Sequence, residues 1–215
     1  MRIAIYGAGG FGREMRRHVM RDTERLGYDA PVFASDDADQ IGGTLLGLPI
    51  ISSADLTADD RCVLAVGNYR HRRKMAERCA GFHTIVADTA IVDDGIAFAE
   101  GSVICDYTIF TADDRTVIGK HFHCNFQSYV GHDCVIGDFV TFGPRVGLNG
   151  NVHVGNDVYI GSGVLVKNGT PDRPIIIGDG ATIGFGSVVT KDVPPGALIL
   201  GHAATERRAD LRAAS

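Results

Sequence analysis

The chain has no tryptophan and only seven prolines, and aromatic side chains make up 7% of it, so its core must rest on aliphatic residues. It has no apolar run approaching the roughly 18 residues of a membrane span. Its 21 lysines and arginines are outnumbered by 26 acidic residues, a net charge of −5. That balance argues against nucleic acid as the main partner. The five cysteines form no C-x-x-C pair and are odd in number. No disulfide framework is therefore expected, and a reduced, cytoplasmic setting fits. The opening MRIAIYGAGG is a short apolar run meeting glycines, without the length or flanks of a signal peptide.

What the chain does have is 28 glycines and a period. Ile118 to Thr170 divides without a gap into nine hexads, from IGKHFH to VKNGT(P). The first column is Ile118, Cys124, Val130, Ile136, Phe142, Leu148, Val154, Ile160 and Val166, all apolar. At 45% hydrophobic residues, nine in succession arise by chance roughly once in a thousand tries. The fifth column, from Phe122 to Thr170, is small or apolar throughout, and the second is Gly or Asn until Lys167. The reading is a parallel β-helix, each hexad a short strand and a corner, with first-column side chains stacked inside. Glycine and asparagine are expected where the corners need unusual backbone angles. Cys124 and Cys134 fall in inward columns and act as small hydrophobes.

Looser hexads begin at Val92, and Phe110 to Val117 carries two residues too many, so a bulge or loop is expected there. Pro171 to Ile176 should be an exposed loop, with register resuming from Ile177 to Pro194. Ala197 to Leu200 is expected to leave the helix as a strand, and Ala204 to Ala213 to form a terminal helix. The domains are read as residues 1–85, 86–196 and a tail, 197–215.

The first 85 residues read as α/β. Arg2 to Tyr6 is a strand, Gly7 to Gly12 matches G-x-G-x-x-G, and Arg13 to Leu26 is a helix. Val32 to Ser35 is a second strand ending at Asp36-Asp37, and Ile41 to Ile51 a loop with a short strand. Arg61 to Val66 is a third strand, followed by Gly67-Asn68 and a basic helix from Tyr69 to Cys79. Glycines let a backbone approach a diphosphate at a helix N-terminus, and an acidic pair after the second strand can hold a ribose or base. The alternative is a plain tight turn. The space before the hexads suits one Rossmann-like half-fold (βαβαβ), hence a mononucleotide or nucleotide-sugar site rather than a full NAD site. Arg70, Arg72, Arg73 and Lys74 form either a solvated helix face or a phosphate contact, with Arg70 nearest the loop.

In VGHDCV, His132 and Asp133 occupy outward positions near a corner, where such a pair is ordinarily polar surface. With three hexads per coil, residues eighteen apart are column neighbours, about 4.8 Å apart. Gly150 then lies beside His132 and leaves room and a backbone N–H near the imidazole. His121 and His123 alternate on a strand and face one outward side; without a third ligand at matching spacing, pocket lining or plain surface outweighs a metal site.

The residues YGAGGFG, the Asp pair, VGN followed by Arg, GHDCVIGDFV, LNGNVHVG and VVTKDVPPG together resemble a family. It is the hexapeptide-repeat sugar acetyltransferases that act on nucleotide-linked amino sugars, the bacillosamine, perosamine and sialic-acid pathway group. The resemblance runs from about residue 2 to 202. It implies a left-handed parallel β-helix, a homotrimer with the amine reaching His132 in a cleft between helices, and acetyl-CoA as acyl donor with no metal. It implies N-acetylation of a GDP- or UDP-linked amino sugar, a 4-amino-4,6-dideoxy sugar by preference. Carried over by position, His132 is the general base, Asp133 orients it, Gly150 offers an N–H to the oxyanion, and Asn125 lies near the reacting centre. Gly9, Gly10, Phe11, Asp36, Asp37, Gly67 and Arg70 line the nucleotide site, and Thr141, Ser162 and Phe185 fall where relatives meet the acyl donor. A neutral imidazole suits proton removal from an attacking amine near pH 7, and no acyl-enzyme is required. The alternatives are O-acetylation on the same fold, a non-catalytic trimeric nucleotide-binding scaffold, and a nicotinamide oxidoreductase resting on the glycine motif alone.

Overall fold

The computed structural model describes residues 1–111 and 115–201; the terminal helix expected at Ala204 to Ala213 lies outside them. The chain opens with β1 (Arg2–Tyr6), α1 (Gly10–Leu26) and β2 (Asp29–Ser35). β1 is buried from Ile3 to Tyr6 because both faces of the sheet are covered. Met15 and Val19 of α1, one turn apart, pack on the Ile3/Ile5 face, and left-handed Gly27 ends the helix.

Ile41 to Ile51 carries one strand more than the loop with a short strand expected of it. It holds two strands, β3 (Thr44–Leu45) and β4 (Leu48–Ser52), paired antiparallel. Leu46 and Gly47 both have positive φ, 47° and 82°, the two-residue turn that matches strand twist. β4 then adds in parallel to β2, β5 (Asp60–Leu64) adds to the other side of β1, and α2 (Tyr69–Ala76) follows. Strand order is β3-β4-β2-β1-β5. This parallel α/β lobe differs from the expected βαβαβ only in one connection. The return from β2 to β5 runs through a hairpin and a short 3-10 turn (Ser53–Asp55), because β-branched Ile50 and Ile51 favour a strand.

The solenoid starts earlier than Val92, at Ile85–Val86, and has three parallel faces. The first face contains Ile85–Val86, Val103–Ile104, His123–Cys124, Thr141–Phe142, Tyr159–Ile160, Thr182–Ile183 and Leu198–Ile199. The second runs from Ile91–Val92 through Tyr129–Val130 to Val188–Val189, and the third from Val117–Ile118 through Val135–Ile136 to Ile175–Ile177. First-column residues from Ile118 to Val166 are buried, as are fifth-column residues from Phe122 to Val164; Cys124 and Cys134 are fully inward. Thr170 breaks its column and is exposed, because the chain leaves the coil there and bridges to Arg173. The loop is shorter than Pro171 to Ile176, since Ile175–Ile177 already pairs with Val152–Val154. Leu198–Ile199 does not leave the helix; it pairs with Thr182–Ile183 as the last rung of the first face.

Corner chemistry also differs from expectation. Left-handed backbone falls in the fourth column, at His121, Gln127, Asp133, Phe139, Arg145, Asn151 and Asp157, with φ between 54° and 61°. Second-column glycines serve clearance between coils: a Cβ on Gly131 would stand 2.9 Å from the Gly150 nitrogen.

The α/β lobe packs on the first face and its flanking corners. Phe11 lies 5.4 Å from the His123 ring, Phe82 lies 4.4 Å from His121, and Arg73 pairs with Asp157 at 2.7 Å. Arg17 pairs with Asp106 at the other flank.

Candidate active site

Three sets of sequence-predicted residues occupy three places. The first is the glycine turn between β1 and α1. Gly7 has φ 117°, and a Cβ there would meet the Ala65 carbonyl at 3.0 Å. Gly12 packs so closely on the Gly7 carbonyl that a Cβ would collide, which seats α1 against the sheet. A Cβ on Gly9 would meet nothing within 4 Å, and one on Gly10 only the Arg13 guanidinium at 3.9 Å. Gly9 offers no side-chain cap and the first turn of α1 carries no acid. Free N–H groups, a positive helix end and Arg13 thus face open space, an arrangement that accepts phosphate oxygens. Arg13, directly after the fingerprint, is a residue the sequence reading passed over.

The second place is the far side of the sheet. Asp36 accepts from the Tyr6 hydroxyl at 2.8 Å and from Ser53, and pairs with Arg78. Burial pushes its carboxyl up, but the hydrogen bonds and Arg78 outweigh this and hold it below the ordinary value. Asp36 therefore anchors the wall of a cavity of about 320 Å³ shared with Tyr6, Val66, His71, Lys74, Met75 and Arg78. Asp37 is exposed and caps its own turn by accepting from the Asp39 N–H at 3.1 Å. Gly67 opens outward, while its carbonyl accepts from Arg72 at 3.1 Å and Thr141 at 3.0 Å. Arg70 is exposed, its Nε donating to the Tyr69 hydroxyl at 3.0 Å.

The basic helix is no solvated face at Arg72, which is fully buried. Its guanidinium donates to the carbonyls of Val66 (2.9 Å), Gly67 and Phe139 (2.8 Å) and to the Thr141 hydroxyl (2.8 Å). Burial pushes it down to about 9, so it remains charged at neutral pH. Thr141 is correspondingly corrected: it lies buried in the seam between lobes and presents no surface to an acyl donor. The surface reading of His121 and His123 is corrected as well. Both are buried under the α/β lobe, against Phe82 and Phe139 and against Phe11. Burial, with Arg72 nearby, pushes His121 down to about 4 and His123 well below the ordinary imidazole value. Among the described residues no group of three His, Cys, Asp or Glu stands ready to hold a metal.

The third place is the corner between the second and third faces. His132 donates from Nδ1 to Asp133 at 2.6 Å. A carboxylate only accepts, so Nδ1 carries the hydrogen and Nε2 keeps its lone pair. Nε2 points at Gly150, where a Cβ would stand 2.4 Å from it. Among the described residues nothing accepts the Gly150 N–H. Asp133 also receives Arg115 Nε at 2.9 Å. Further along this edge Lys167, Arg173 and Lys191 surround a cavity of about 580 Å³.

Asn125, Ser162 and Phe185 occupy the corner between the first and second faces. Asn125 Nδ2 donates to the Phe142 carbonyl at 2.7 Å, Ser162 sits against Gly143, and Phe185 is 67% exposed beside Gly161. One chain therefore joins His132, Asp133 and Gly150, but sets Asn125 on a different corner. The glycine turn is set on the opposite side of the solenoid from His132.

Two family models match the sequence. "PglD N-terminal domain" covers residues 2–79 and "Bacterial transferase hexapeptide (six repeats)" residues 133–168. The chain is 35% identical over 193 residues to a GDP-perosamine N-acetyltransferase of Escherichia coli O157:H7, covering 82% of each. WeeI from Acinetobacter baumannii AYE superposes with a TM-score of 0.85 and 38% identity, over 94% of this chain and 97% of that one. PerB from Caulobacter crescentus, solved in complex with CoA and GDP-perosamine, gives a TM-score of 0.74 and 26% identity over 94% of both.

Proposed function

Since the chain belongs to the hexapeptide-repeat acetyltransferases acting on nucleotide-linked amino sugars, with their left-handed β-helix, we propose how its own residues carry out that reaction. The enzyme moves an acetyl group from acetyl-CoA to the amine of a GDP-linked amino sugar of the perosamine type. The observation that carries the site is the His132 imidazole, held by Asp133 with Nε2 against Gly150, whose N–H has no acceptor among the described residues.

The sugar nitrogen attacks the thioester carbonyl, forming the C–N bond. His132 Nε2 takes the proton the nitrogen loses, and Asp133 stabilises the imidazolium. The Gly150 N–H meets the oxyanion, an interaction worth about 3 kcal/mol. As the intermediate collapses the C–S bond breaks, and the imidazolium returns the proton to the leaving thiolate. No residue is acylated. Cys134, the neighbouring thiol, is buried, and burial pushes it up to about 11.

Gly9, Gly10, Phe11 and Arg13 hold the diphosphate at the start of α1. Asp37, Gly67 and Arg70 border the nucleoside, with Asp36 fixing the cavity wall. Lys167, Arg173 and Lys191 suit the phosphates of CoA. Lys191 stands three coils beyond His132, about 14 Å along the stack and within reach of a pantetheine arm. Ser162 and Phe185 flank the same donor from a second copy.

The α/β lobe and His132 lie on opposite sides of one solenoid, so a sugar held by one chain meets the imidazole of another. A closed homotrimer with three such clefts satisfies this arrangement, with Asn125 brought in by the neighbour. Five unpaired cysteines suit a cytoplasmic enzyme; no helix among the described residues is long and apolar enough to cross a membrane.

The test is thiol release from acetyl-CoA with GDP-perosamine and its UDP-linked and 4-hydroxy counterparts. Turnover with the GDP-linked amine, lost at least a hundredfold in His132→Ala, is expected. Full turnover in His132→Ala overturns the base assignment, and preference for the hydroxy sugar overturns N-acetylation.

A further inference from the structure

The strand pairings locate an insertion in the solenoid. Val92 pairs with Phe110 and Ile118 with Ile136, each 18 residues on. Ile104 pairs with Cys124 and Phe110 with Val130, each 20 residues on. The two extra residues therefore lie between Phe110 and Ile118, on the corner that carries His132, one coil earlier. Arg115 belongs to that stretch. Its Nε reaches Asp133 Oδ1 at 2.9 Å, while Oδ2 of the same carboxylate takes the His132 hydrogen at 2.6 Å. The carboxylate is only 15% exposed, between an arginine and an imidazole each more than 60% exposed. The left-handed φ of 56° at Asp133 fixes the side chain's point of departure.

We propose that Arg115 is a positioning residue of the acetyl-transfer centre, acting through Asp133 to orient the His132 imidazole. The inference rests on His132 as the base. Two partners on two oxygens stop the carboxylate from turning about its bond, so the imidazole plane is held with Nε2 towards Gly150. The coil below brings Asp93 and Asp94 to this same corner, since Val92 pairs with Phe110. The coil above presents Asn149, Gly150 and Asn151, all uncharged, and the Tyr129 hydroxyl of the second face is tied to Asn149. His153 stands on the third face of the coil above, Lys167 and Lys191 lie two and three coils away, and Asp113 and Asp114 precede Arg115 in the chain.

The experiment compares kcat and the KM for acetyl-CoA of wild type, Arg115→Ala, Arg115→Lys and Arg115→Gln, with thermal melting of each. Arg115→Ala and Arg115→Gln are expected to lower kcat about three- to tenfold while melting like wild type. KM for acetyl-CoA stays within about twofold, and Arg115→Lys restores most of kcat. In a His132→Ala background, Arg115→Ala adds no further loss. An unchanged kcat in folded Arg115→Ala and Arg115→Gln overturns the proposal, as does a raised acetyl-CoA KM with kcat unchanged, which makes Arg115 a donor-binding residue. Those results with inactive His132→Ala leave the base assignment standing, whereas an active His132→Ala removes that assignment itself.

Discussion

Two sets of histidines on one solenoid are held in opposite ways. His121 and His123 lie under the α/β lobe against aromatic rings, with His121 Nδ1 and both His123 ring nitrogens lacking a partner among the described residues. His132 stands on an open corner with Nδ1 on a carboxylate and Nε2 free. Burial without a partner keeps an imidazole neutral and makes it a packing group. Exposure beside a carboxylate makes it a base with a defined tautomer. The same side chain thus serves cohesion at one site and chemistry at the other, and neighbours decide which.

Breaking this contrast has its largest expected effect at the open corner. His132→Ala should lower kcat about 10²- to 10⁴-fold while melting like wild type. Thiol-release kinetics and calorimetry check the pair of outcomes; a large fall in melting temperature would make His132 a structural residue. At the seam the reverse is expected. Arg72→Met leaves the Val66, Gly67 and Phe139 carbonyls without their donor and should cost about 3 kcal/mol, read in a urea titration. Gly150→Ala pushes a methyl group into the His132 ring. A loss of about tenfold in kcat is expected with unchanged nucleotide-sugar affinity, which calorimetric titration tests.

The smallest effect sharpens the contrast by pH. The folded value of His121 is depressed to about 4. Above about 6.5 the ring is neutral folded or unfolded and carries no penalty. As pH falls from there towards 4, the unfolded chain takes up a proton that the folded seam resists, so stability declines across that window. His121→Asn, which tolerates the same left-handed backbone, should flatten the decline in melting temperature between pH 6.5 and 4.5. An identical slope would place the acid sensitivity elsewhere.

The solenoid was legible in the sequence because its apolar columns repeat regardless of what lies outside them; Ile118 to Val166 is buried at every sixth residue, on each face in turn. His132 and Asp133 were legible as a pair because adjacency at a corner brings them together locally. Arg72 and Thr141 were not, since their bond joins residues 69 apart across a seam that no local pattern announces. The burial of His121 and His123 was hidden for the same reason: an outward column says nothing of what covers it. Ile41 to Ile51 misled because an apolar stretch with glycines suits a loop as well as a hairpin. The tail at Leu198–Ile199 misled because Thr182 and Leu198 pair at a spacing of 16 rather than 18. Lys191 escaped notice because the loop before Ile175 shifts it by five residues out of the His132 column.

The central claim, that the sugar lobe of one copy serves the His132 edge of another, is tested most directly by mixing two dead enzymes. His132→Ala keeps the glycine turn, and Gly12→Val, which drives a side chain into the Gly7 carbonyl, keeps the imidazole. Co-expressed and purified through two tags, they should recover about a third of wild-type turnover, because every mixed trimer in a closed ring has one of its three sites built from an intact lobe and an intact imidazole. Mixed assemblies that stay inactive would contradict the account and place nucleotide and base in the same chain.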